Sequence, residues 1–159
     1  MRYILMILLS TVLFANDSYD FDEYKFIFAA STTFKQSGNI YFDKDKTIIT
    51  YSIPKYKQIV DDNENITIIG KSGKSYKLKG KGLFYTKLFI DIMIRLGDFN
   101  KFKAARDFSL TREGNIYIVT FKGEMEDEIL KAEVLTKKSR VQSFKLFMKN
   151  GDTLEIVKK

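Results

Sequence analysis

Residues 83–96, Leu-Phe-Tyr-Thr-Lys-Leu-Phe-Ile-Asp-Ile-Met-Ile-Arg-Leu, constrain the fold of this chain more than any other stretch. Lys87, Asp91 and Arg95 recur every four residues, with Thr86 alongside, so on a helix they stack into one narrow wet stripe. All the other residues are apolar and cover more than half the circumference. An ordinary surface helix buries a stripe only a little over roughly 100° wide. The stretch is also too short and too charged to cross a bilayer, which takes roughly 20 apolar residues. Such a helix needs a concave surface around it. Either it completes the core of a strongly curved sheet, or it is a plug that apolar cargo displaces. Gly97 is placed to end it, and Asp98 to cap a further short turn carrying Phe99 and Phe102.

The flanking sequence supplies strands. From Tyr24 to Leu78 the dominant period is two, as in Asn39-Ile40-Tyr41-Phe42 and Tyr56-Lys57-Gln58-Ile59-Val60. Turn chemistry at Ser37-Gly38, Asp43-Lys-Asp45, Asp61-Asp-Asn63 and Lys71-Ser-Gly73 divides this run into antiparallel hairpins. Pro54, the only proline, ends a strand or marks an edge. After the helix the pattern resumes at Phe108–Leu110, Asn115–Phe121, Ile129–Thr136, Val141–Met148 and Leu154–Val157. About eleven strands are expected, six before the helix and five after it. The acidic stretch 16–23 should be loose, ahead of a first strand near Tyr24. The chain is thus mainly β with one main helix, an α+β protein.

Residues 1–15 form a separate unit. Arg2, an apolar run over 3–13 and small Ala15 before polar Asn16-Asp17-Ser18 have the pattern of a secretory signal peptide cleaved after Ala15. The alternative, an uncleaved anchor, needs a longer apolar run. Residues 16–159 then form a single domain of 144 residues (159 minus 15), long enough to bury a core without staples.

The chain has no histidine, no cysteine and no tryptophan. Zinc and copper sites, and the usual nucleophile pairs, therefore lack their parts. No metal, no cofactor and no enzymatic activity are expected. A lipid-modified cysteine is excluded too. The net charge of +7 becomes +6 once Arg2 is removed, which suits an anionic membrane surface or solubility; nucleic acid is not an expected partner of an exported protein.

Three motifs invite chemistry. Gly70-Lys-Ser-Gly73-Lys74-Ser75 resembles the end of a phosphate-binding loop, but Ile68 stands where the motif needs its first glycine. Glu124-Met-Glu126-Asp127-Glu128 offers paired carboxylates without a partner base, and reads as a solvated turn. Lys74, Lys77, Lys79 and Lys81 follow Lys71 in one basic run. Lys77, Lys79 and Lys81 would share one side of an extended segment, opposite Tyr76 and Leu78. That run serves either as edge protection or as a contact for anionic headgroups or an acidic partner.

Phe34-Lys-Gln36-Ser-Gly38-Asn-Ile40-Tyr-Phe42, then Ile49-Thr-Tyr51-Ser-Ile-Pro54 and Ile59-Val60-Asp-Asp62, resemble the periplasmic outer-membrane lipoprotein carriers, the LolA-like proteins. Phe108–Ile118, Leu135–Phe144 and Lys149–Ile156 resemble that family's later strand–turn–strand pairs. The resemblance implies an unclosed antiparallel β-barrel of about eleven strands, its concave face plugged or lidded by the helix. It also implies a monomeric periplasmic carrier that shelters the acyl chains of lipoproteins, or of a related lipid or glycolipid. Its partners would be an inner-membrane donor and an outer-membrane acceptor. Three features depart from the family: its long N-terminal helix has no counterpart, its Arg-Pro pair reads Asp43-Lys44-Asp45-Lys46, and its C-terminal extension is missing.

The expected acyl-binding residues are Phe26, Phe28, Ile40, Phe42, Ile49, Tyr51, Val119, Phe121, Phe144 and Leu146 on strands, with Phe84, Leu88, Phe89, Ile92 and Met93 on the helix. A one-residue slip would exchange the strand faces. Lys74, Lys77, Lys79 and Lys81 are the expected membrane or partner contact. The competing function is an exported β-domain that docks on an anionic surface or protein and carries nothing.

Overall fold

A computed structural model describes residues 18–43, 45–97, 108–138 and 140–159. The expected leader with its cleavage site, and the turn expected at Asp98–Phe102, lie outside the described residues. Six strands precede the helix: β1 (Ser18–Ile27), β2 (Thr32–Phe42), β3 (Thr47–Ile53), β4 (Lys57–Asp61), β5 (Ile66–Gly70) and β6 (Ser75–Lys77). Helix α1 (Gly80–Gly97) follows. Five more complete the sheet: β7 (Phe108–Glu113), β8 (Ile116–Phe121), β9 (Ile129–Lys137), β10 (Arg140–Met148) and β11 (Thr153–Lys158).

All eleven strands join one antiparallel sheet in the order β6-β5-β4-β3-β2-β1-β11-β10-β9-β8-β7. The two ends of that order, β6 and β7, do not pair, so the barrel is unclosed and keeps two edges. Every hairpin joins sequence neighbours, and only the β1–β11 pairing links the two halves.

One face of the sheet is apolar. Phe21, Ile40, Ile49, Ile66, Val119, Val134, Phe144 and Ile156 are fully buried there. Into this face α1 sets Ile90, Ile92, Met93 and Leu96, all buried. The over-apolar helix thus completes the core of the curved sheet, and its stripe is where spacing put it. Lys87 and Asp91 are exposed, and Arg95 donates to Asp91 at 2.8 Å.

The first strand corrects an expectation. Residues 18–23 are not loose; they are the first half of β1, which starts at Ser18. Tyr19, Phe21 and Glu23 alternate inward, and the acids between them are held from outside. Asp20 accepts from the Asn39 amide at 2.9 Å. Asp22 accepts from the Ser37 hydroxyl at 2.5 Å and meets the ammonium groups of Lys159 at 2.8 Å and Lys35 at 3.4 Å. Acidity masked an alternation that is plain once those partners are known.

Ser37-Gly38, expected as a turn, lies inside β2, and the first hairpin turns at Phe28–Ser31 instead; Gly38 is required by space. A Cβ there would stand 2.4 Å from the Thr50 carbonyl oxygen and 3.1 Å from the Phe21 ring. β3 ends at Ile53, immediately before Pro54, as the imide demands.

Candidate functional site

Helix α1 is not embedded evenly along its length. Its second half carries the buried residues Ile90, Ile92, Met93 and Leu96. Its first half is shallower: Leu83, Leu88 and Phe89 are half-buried, while Phe84 and Tyr85 remain 44% and 39% exposed. Two large aromatic side chains at that exposure are unusual for so apolar a helix. Among the described residues no helix is long and apolar enough to cross a membrane.

Beside that shallow half lies a recess of about 340 Å³. Gly80, Lys81, Phe84, Tyr85 and Leu88 form its helical wall. The facing wall is Met125 and Glu128, from the turn between β8 and β9, with Ile129 at the start of β9. Its surface is mostly apolar, with Lys81 and Glu128 as the charged groups at its rim. The Tyr85 hydroxyl donates to the Glu128 carboxylate across the gap.

The second half of the helix is held more firmly. The Tyr19 hydroxyl donates to the Met93 carbonyl at 2.5 Å, and both residues are buried. Burial pushes the Tyr19 phenol well above its ordinary range, so it stays a donor. Nearby on β1, the buried Glu23 accepts from the Tyr51 hydroxyl at 2.6 Å. Burial first, then the adjacent Glu23 charge, raises the Tyr51 phenol too. The Lys57 ammonium sits 4.4 Å from the Tyr51 ring centroid. Burial lowers its pKa, against the attraction of Glu23.

The expected acyl-binding residues divide into four groups. Phe84 and Leu88 line the recess. Ile40, Ile49, Tyr51, Ile92, Met93, Val119, Phe121, Phe144 and Leu146 face the interior, where they belong to the buried core. Phe42 and Phe89 pack half-buried against that core. Phe26 and Phe28 are displaced. Phe26 shares the outer face of β1 with Tyr24 and lines a separate recess with Phe147. Phe28 sits in a short turn after β1, 61% exposed. The inward face of β1 carries odd-numbered residues, so Phe26 points away from the helix.

The lysine run also differs from expectation. β6 ends at Lys77, Lys79 leads out of it, and Lys81 belongs to the first turn of α1. The three do not share one side of a strand. Gly80, at φ 56°, adopts a conformation open to glycine and turns the chain from sheet edge into helix earlier than hydropathy suggested. The loop at Gly70–Lys74 is a hairpin turn, closed by Gly73 N–H donating to the Gly70 carbonyl at 3.0 Å.

Sequence reasoning missed Tyr85, Met125, Glu128 and Ile129. Met125 did leave a signal, as the one apolar residue inside an acidic run.

No protein-family model matches the sequence, and no curated protein does. Among solved structures the chain is similar to a DUF1329 family protein from Desulfovibrio piger. Identity is 11%, with a TM-score of 0.45 over 91% of this chain and 85% of that one. It is also similar to an outer membrane lipoprotein-sorting protein domain from Vibrio parahaemolyticus. There identity is 6%, with a TM-score of 0.39 over 89% of this chain and 82% of that one. Likeness this loose carries no argument about activity.

Proposed function

We propose that this protein is a carrier that takes an acyl chain of a lipoprotein, or of a related lipid, into the recess beside the first half of α1. The role is carriage without turnover, in an exported protein moving cargo towards the outer membrane. One observation supports this most: the apolar recess opens where the helix is least buried, with Phe84 and Tyr85 already half in water.

The energetics suit a reversible plug. Burying a methylene group gains about 0.8 kcal/mol, so a long acyl chain gains on the order of 10 kcal/mol in a dry site. A recess of about 340 Å³ lies at the lower end of ligand-site volumes, roughly 300–1,000 Å³. Longer chains must lift Phe84 and Leu88 off the sheet, and the lost apolar contact offsets part of the gain. Ile92 and Met93 stay anchored while the first half moves. Affinity is then low enough for cargo to pass between donor and acceptor.

Titration of the protein with an uncharged pyrene-labelled long-chain alcohol tests the proposal. Saturable uptake at one site is expected. A folded sample that takes up none of the probe refutes it.

A further inference from the structure

The two free edges of the sheet lie in stretches of different charge: residues 71–81 carry five lysines and no acid, while over 98–113 Lys101, Lys103, Arg106 and Arg112 are offset by Asp98, Asp107 and Glu113. β7, six residues long, carries Arg112 and Glu113 as its charged residues. β6 is three residues long, yet the chain entering, forming and leaving it holds Lys71, Lys74, Lys77, Lys79 and Lys81 with no acid between them. All five are exposed and none is in an ion pair within 4 Å among the described residues, although Lys77 adds to the backbone N–H groups of Asn65 and Glu64 in lowering the Asp62 carboxyl. Mixed charges such as those around β7 already protect an edge, and a run of five cations with no acid is more than that role asks.

The basic run leads directly to the recess, because Lys81 is part of its wall. Exposed aromatics accompany it. Tyr76 on β6 is 61% exposed and pairs with Ile68, whose side chain is in the core, so it stands on the concave side of the edge. Phe84 follows on the helix. The opposite lip is acidic, with Glu126, Asp127 and Glu128 beyond Met125. The mouth is therefore polarised: a cationic, aromatic lip along β6 and α1 faces an anionic lip after β8.

We propose that the β6–α1 lip is a docking surface for an anionic lipid bilayer, seating the mouth of the recess on the membrane from which cargo enters. Lysine and interfacial aromatic side chains are the pair that suits a negatively charged headgroup layer. The acidic lip is repelled by the same layer and stays raised, which leaves the recess tilted open. This deepens the carriage proposal and rests on it for the use made of the recess; docking itself is measured separately.

Flotation with phosphatidylcholine vesicles containing 30% phosphatidylglycerol tests it on the full protein, about 30% being enough for a surface potential of the kind that recruits basic segments. Binding is expected to these vesicles, not to pure phosphatidylcholine, and to fall as salt shortens the screening length. Each lysine lost should weaken binding about fivefold, so Lys74→Gln/Lys77→Gln/Lys79→Gln loses about a hundredfold. The equally charged control Lys46→Gln/Lys55→Gln/Lys137→Gln should lose far less, and Glu126→Gln/Asp127→Gln should bind more tightly. Uptake of the uncharged pyrene alcohol in the absence of vesicles should survive the edge substitutions, so failure to dock and failure to carry are distinguishable. Equal losses in the two lysine variants, or retention on polyglutamate with no vesicle binding, would overturn the proposal.

Discussion

The Tyr19 hydroxyl and the Met93 carbonyl, 2.5 Å apart, connect the first strand to the deeply buried half of the helix across the core. The contact joins residues 74 positions apart and ties the second half of α1 to β1. The Tyr85–Glu128 contact at the other end is exposed and sits at the rim of the recess. One end is anchored, the other is latched from solvent.

Tyr19→Phe should therefore lower stability by about 1 kcal/mol, the usual loss for one buried hydrogen bond whose acceptor stays partly satisfied within the helix. Urea denaturation checks this. Uptake of the pyrene alcohol should be retained, because the ring still packs against Phe42 at 6.0 Å between centroids.

Substitutions on the two halves of α1 should separate. Met93→Ala removes a fully buried side chain and should cost about 2–5 kcal/mol in urea denaturation. Phe84→Asp changes a side chain that is 44% exposed, so the fold should survive with a loss of under about 1 kcal/mol. Uptake should behave the other way round, falling at least tenfold for Phe84→Asp. Equal uptake by Phe84→Asp and the parent protein would remove the recess as the binding site.

Acid stability should report on Asp22. The hydrogen bond from Lys159, then that from Ser37, holds its carboxyl at about 2, below the ordinary 3.8. A carboxylate with a lowered folded pKa stabilises the fold fully above its unfolded value, and the contribution disappears as pH falls through the folded one. Stability should thus decline between about pH 4 and pH 2, and Asp22→Asn should flatten that part of the profile. Urea midpoints measured at steps across this range would show it; parallel profiles for the two proteins would exclude the assignment.

Much of this architecture was legible in the residues. Strand number and the placing of the helix after six strands follow from period-two runs broken by turns such as Asp61-Asp-Asn63 and Lys71-Ser-Gly73, whereas Ser37-Gly38 reads as a turn and lies inside β2. The wet stripe of Lys87, Asp91 and Arg95 follows from spacing by four. β1 was misplaced because Asp20 and Asp22 resemble loop residues until Asn39, Ser37 and Lys159 are beside them.

Local periodicity determined the elements and the need for a concave partner, since backbone geometry repeats every two or 3.6 residues whatever lies far away. Tertiary structure alone decided which strand face turned inward, putting Phe26 outside and Phe21 within. It also decided that Ile49, Phe144 and Met93 are buried in the core while Phe84 and Leu88 meet Met125 and Ile129 around open space. The reason is that a recess depends on how far apart distant segments come to rest. Alternation along one segment specifies a face and carries no such distance.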